Sequence, residues 1–102
     1  MSGKAPLFVG VAEVDLHFPG ARSLKDKRQD LRSLVDRLRH RLHVLVVESD
    51  HQDLHQRAGI AVSSLATDAE AARGTVARAL DIVHESFPGV VLDEHVNLVQ
   101  VR

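Results

Sequence analysis

Eight basic residues lie between Arg22 and Arg41, against three acids (Asp26, Asp30 and Asp36). The stretch carries +5 in a chain of net charge −1, so the remainder carries −6. The spacing matters more than the sum. On a 100° step, Lys25, Arg28, Arg32 and Arg39 fall within about 60° of arc, one stripe along a helix. Cations so arranged can track a phosphate backbone. Arg22 stands just before them, after Gly20-Ala21, where the free amides of a helix start favour anions. The same pattern also reads as a solvated face whose long side chains lie along a sheet edge, and both readings stay open. Lys27 is different: at about 200° it falls inside the apolar arc of the same helix. It must reach past the helix end or pair with an acid, with Glu13 and Asp15 of the first strand as expected partners. A structural ion pair is the better reading than a catalytic lysine. The anion-binding candidates are therefore Arg22, Lys25, Lys27, Arg28, Arg32 and Arg39.

A second polar group runs from Asp50 to Arg57. His51 and His55 are four apart, a spacing that grips zinc when it lies on a helix. The glutamate of a metalloprotease motif is missing and the segment reads as a loop, so side chains that fix a loop by hydrogen bonds are the better account. Neither a metal nor a cofactor is expected. The serines show no nucleophile elbow, and no phosphate-binding loop or dinucleotide fingerprint is present. The absence of cysteine removes a thiol nucleophile, a thiolate metal site and a disulfide framework together. With no Tyr or Trp and three Phe, the sheet has no aromatic platform for stacking bases. The expectation is a protein that is not an enzyme.

The elements that must carry these residues read in order. A strand spans Leu7 to His17, with its even positions apolar or small. Phe18 to Arg22 form a loop, and Ser23 caps a helix running to about Arg41, with Leu24, Leu31, Leu34, Val35, Leu38 and Leu42 on one side. A second strand covers His43 to Ser49, a polar connection Asp50 to Arg57, and a third strand Ala58 to Leu65. Thr67-Asp68-Ala69-Glu70 reads as a capping box with Thr67 at its head. The second helix then presents Ala69, Ala72, Val76, Leu80, Val83 and Phe87 to the core, and Pro88-Gly89 ends it. The last strand runs from Val90 to Val101, interrupted at Asp93, Glu94 and His95. Strand, helix, two strands, helix, strand is the α+β, ferredoxin-like βαββαβ pattern: a four-stranded antiparallel sheet with two helices on one face. Residues 1–6 read as a flexible tail and 7–102 as a single domain. The other sheet face is left open, with Leu7, Val9 and Val11 on it, which points to self-association.

Met1 to Pro6 lacks the apolar run of a signal peptide, and no stretch approaches the roughly 20 apolar residues of a membrane helix. Lack of cysteine fits a reducing compartment. A cytoplasmic protein without membrane contact is expected.

Several strings together resemble the YlxP-like family of small bacterial proteins, a domain of unknown function: Phe8-Val9-Gly10-Val11, Pro19-Gly20-Ala21-Arg22-Ser23-Leu24-Lys25-Asp26-Lys27-Arg28, His51-Gln52-Asp53-Leu54 and Gln56-Arg57-Ala58. The resemblance spans almost the whole chain. It implies a ferredoxin-like fold and, from genes that lie beside those of translation initiation and ribosome-maturation factors, a link to ribosomes or RNA. Family members tend to carry Trp where this chain has His55, which speaks against a metal role there. The helix start at Gly20–Arg28 and the His51–Arg57 segment are expected at one end of the domain, with His51, Gln52, Asp53 and Arg57 as a second motif on that surface.

Two functions of different class follow. The first is a non-enzymatic RNA- or ribosome-associated module using the basic helix. The alternative is a homodimeric protein- or small-ligand-binding regulatory domain, paired through its open sheet face or an edge. An acylphosphatase-like enzyme is least favoured: Asn97, the sole asparagine, lies far in sequence from the basic loop.

Overall fold

The computed structural model describes residues 3–102. Met1 and Ser2, the head of the expected tail, lie outside the described residues, and residues 3–7 join no helix or strand. The element order is β1 (Phe8–His17), α1 (Leu24–Arg41), β2 (Leu45–Asp50), β3 (Arg57–Ala66), α2 (Ala69–Ser86) and β4 (Val90–Gln100). The strands form one sheet in the order β2-β3-β1-β4, antiparallel at every pairing. With both helices on one face, this is the ferredoxin-like α+β fold.

Side-chain alternation decides which face is which. Gly10, Ala12, Val14 and Leu16 of β1 are buried beneath the helices, with Ala58, Ile60 and Val62 of β3 and Val46 of β2 beside them. Leu31, Leu34 and Leu38 of α1 and Val76, Ala79, Ile82 and Val83 of α2 close the core from above. Each large aliphatic side chain removed from water here contributes about 1.5–3 kcal/mol. At Gly10 the approach is closest: a Cβ there would lie 2.6 Å from the Ala72 carbonyl oxygen of α2, so only glycine lets that helix settle on β1. Phe18 and Phe87 seal one end of the core in an edge-to-face contact, centroids 4.9 Å apart.

The caps refine the expected boundaries. Ser23 Oγ accepts from the Asp26 amide at 3.1 Å, and Asp26 Oδ2 accepts from the Arg22 amide at 2.9 Å. At α2 the cap is Asp68, not Thr67: its carboxylate accepts from the Ala71 amide, while Glu70 pairs with Arg73 one turn on. A charged acceptor outcompetes the neighbouring hydroxyl. β4 runs on through Asp93, Glu94 and His95 without interruption, because these residues lie on an edge strand where polar side chains meet solvent. Its irregularity is a register shift opposite Asp15/Leu16.

Candidate functional site

Lys27 is fully buried, as its place in the apolar arc requires. Its Nζ donates to Glu48 Oε2 at 3.1 Å and to the carbonyl oxygens of His51, Gln52 and Arg57 at 3.0, 3.2 and 3.2 Å. Three ammonium protons thus serve four acceptors, one of them a carboxylate. The expected partners Glu13 and Asp15 are not used, for a topological reason. Both occupy odd positions of β1 and point to the open face of the sheet, whereas α1 lies on the other side. Glu48 follows Val46 on the helix-facing side of β2, within reach of the helix start. Lys27 is accordingly removed from the anion-binding set: its charge is spent inside the fold.

The ammonium ties the helix start to the β2–β3 connection. Gln56 adds to this, donating from Nε2 to the Ala21 carbonyl at 3.2 Å, while the Phe18 amide donates to the Gln56 carbonyl at 2.9 Å. The Gly20–Arg28 and His51–Arg57 segments therefore share one end of the domain. The side chains of the second motif part company, however. Gln52 turns back to the Glu48 carbonyl, and Asp53 is exposed. His51 adopts a left-handed backbone, φ 58°, the region that His enters more readily than most residues. Its carbonyl meets Lys27, while its ring comes within 3.3 Å of Arg57 Nη2. Arg57 makes a two-pronged contact with Asp15 on the open face. His51 and Arg57 thus bridge the two sides of the sheet end instead of extending the helix stripe.

Arg22, just ahead of α1, and Lys25, Arg28, Arg32 and Arg39 on it are all exposed. Arg39 donates from Nη2 to the Val46 carbonyl at 2.9 Å, covering a free backbone acceptor on the edge strand β2. For that residue the sheet-edge reading holds. Among the described residues, the side chains of Arg22, Lys25, Arg28 and Arg32 form no ion pair or hydrogen bond. The helix start is less open to an external anion than its glycine-led loop suggests, because Asp26 already places a carboxylate there.

One cluster was not singled out by sequence reasoning. On the open face, a depression of about 170 Å³ is bordered by Glu13, Asp15, Asp50, His51, Asp93 and His95. His95 Nε2 lies 2.7 Å from Glu13 Oε2, as the Glu13–His95 cross-strand register dictates. The signal was available in the even–odd alternation of β1, but only once the pairing with β4 is known. Among the described residues, no group of three His, Cys, Asp or Glu side chains is placed to hold a metal ion. Nor is any helix long and apolar enough to cross a membrane.

A family model described as "Protein of unknown function (DUF503)" matches residues 9–96. No curated protein matches the chain. Among solved structures, the de novo designed protein Foldit4 is similar at a TM-score of 0.54 and 13% identity, over 94% of this chain and 99% of its own. The de novo designed protein Ferredog-Diesel covers 95% of this chain and 87% of its own, at a TM-score of 0.48 and 11% identity. The likeness to the first is one of fold alone.

Proposed function

The chain belongs to the family described as "Protein of unknown function (DUF503)", and we propose that it is a non-enzymatic, cytoplasmic, RNA- or ribosome-associated module of the YlxP-like kind that holds phosphates on the outward stripe of α1. The observation that carries this reading is the set Arg22, Lys25, Arg28 and Arg32: four exposed cations with no partner among the described residues, Arg22 just ahead of the helix and the other three following one another over about 10 Å of it. A structural role leaves a cation paired, as it does for Lys27 and Arg39. These four have no such employment, in a chain whose overall charge is slightly negative. Among the described residues the sheet bears no exposed aromatic side chain, which favours contacts to backbone phosphates over stacked bases.

Four phosphate contacts on a single strand predict a log–log salt slope of about −3. The experiment compares ribosomal subunits and ribosomal RNA fragments binding to the wild type and to K25E/R28E/R32E across a salt series. The expected result is weaker binding and a slope reduced to about −1 or less. Unchanged affinity in the triple variant refutes the reading.

A further inference from the structure

We infer that the uncharged half of the open sheet face is the interface of a homodimer, packed sheet to sheet against a second copy of this chain. The strand register sorts that face into two halves. One holds Glu13, Asp15, Asp50, His51, Arg57, Asp93 and His95. The other holds Leu45 and Val47 of β2, Ala61, Ser63 and Leu65 of β3, Val9 and Val11 of β1, and Asn97 and Val99 of β4, brought side by side by the pairings Val9–Leu65, Val9–Val99, Val11–Ser63, Val11–Asn97, Leu45–Ser63 and Val47–Ala61. No charged residue falls within it. Leu45, Val47, Leu65 and Val99 are 74%, 58%, 65% and 51% exposed.

Those four side chains present on the order of 400 Å² of contiguous surface, within the range of the largest patch a monomer leaves open. With the partly exposed Val9, Val11 and Ala61, mutual burial in a pair reaches about 1,000 Å² in total, the threshold of a specific interface. A second copy is the occupant that fits. A polyanion finds no cation in this half and four carboxylates at its border. A partner steered by charge has nothing here to read. A two-fold axis instead lays the patch on itself, so that one self-complementary surface suffices. The charged half sets the register. Laying Glu13, Asp15, Asp50 and Asp93 over their own copies would bring like charges together. Only the uncharged halves therefore overlap, and the charged halves extend past them into solvent. The edges offer a weaker alternative: β2 is short and its Val46 carbonyl is covered by Arg39, and β4 carries Asp93, Glu94 and His95 in its middle. Sheet-to-sheet packing places both helical layers outermost, so the α1 stripes of the two copies face away from each other and remain accessible.

The test is the oligomeric state by sedimentation and light scattering, at concentrations up to hundreds of micromolar, for the wild type, L45K/L65K and R28E/R32E. Leu45 and Leu65 are exposed, so their replacement leaves the core intact, which far-UV circular dichroism verifies. The expected result is a dimer for the wild type and R28E/R32E, and a monomer for L45K/L65K. A wild-type monomer throughout overturns the proposal, as does a dimer that persists in folded L45K/L65K. Val47→Lys, a single change on the same patch, gives the same reading should the double variant not fold. Because the readout is mass and not RNA affinity, its failure is separable from failure of the RNA-binding reading.

Discussion

Replacing Lys27 by methionine isolates the interaction on which the end of the domain depends. The side chain keeps its unbranched stem and loses only the terminal ammonium, so core packing along α1 is little altered. What remains is a Glu48 carboxylate, only 19% exposed, facing three carbonyl oxygens with no donor between them. Removing one member of a buried ion pair costs about 3–5 kcal/mol. Here the lower end applies, because the Gln52 residue is exposed and its carbonyl can turn to water. A loss of about 3 kcal/mol, at a urea slope of about 1.5 kcal/mol per molar, moves the unfolding midpoint down by about 2 M. Stability of an ordinary domain is about 5–15 kcal/mol, so the variant still folds, with amide exchange accelerated between His51 and Gln56. K27M/E48M, which removes both partners, recovers part of the loss. Lys27→Arg does not rescue, because in a fully buried site a planar guanidinium cannot reproduce the compact ammonium's convergent contacts to four acceptors. A K27M midpoint within about 0.5 M of wild type, with the loop amides as protected as before, would refute the argument that this ammonium holds the β2–β3 connection.

Other perturbations have equally definite outcomes. Gly10→Ala drives a methyl against the Ala72 carbonyl and lifts α2 from β1, costing about 2–3 kcal/mol by urea denaturation. His51→Gly raises stability by under about 1 kcal/mol or leaves it unchanged, since glycine tolerates the left-handed backbone. His51→Val at the same site costs about 1–2 kcal/mol; equal midpoints for the two would refute the left-handed backbone at position 51. Phe87→Ala opens the contact with Phe18 and costs about 3 kcal/mol, seen as a fall of more than about 10 °C in Tm. Asp15→Asn, at a pair whose side chains are 33% and 35% exposed, costs about 1 kcal/mol or less.

The layout of the fold is legible in the sequence because each element announces its period and its end. Leu31, Leu34 and Leu38 recur at helical spacing, Gly10 to Leu16 alternate, and Pro88-Gly89 stops α2. Where the expectations slipped, two local signals competed. Thr67 and Asp68 both suit a cap, and only geometry shows which oxygen meets the Ala71 amide. Asp93 to His95 look like a break until their place on an edge strand is known. The site was half legible. Lys27's burial follows from its helical angle. Its partner does not, because Glu13, Asp15 and Glu48 are indistinguishable in type, and only the two-sidedness of the sheet separates them. Similarly, His51 and Arg57 belong to the connection in sequence, but their side chains reach the face opposite α1.

The anchorage of the β2–β3 connection has a consequence for how this chain tolerates change. Of the four groups that Lys27 grips, three are main-chain carbonyls, which every amino acid supplies. The shape of the connection is therefore largely uncoupled from the identity of its tip, Asp53, Leu54 and His55, none of whose side chains Lys27 touches. Those three positions form a cassette: their sequence can be exchanged while the flanking backbone stays clamped, which makes the tip a place where new specificity can be written on an unchanged frame.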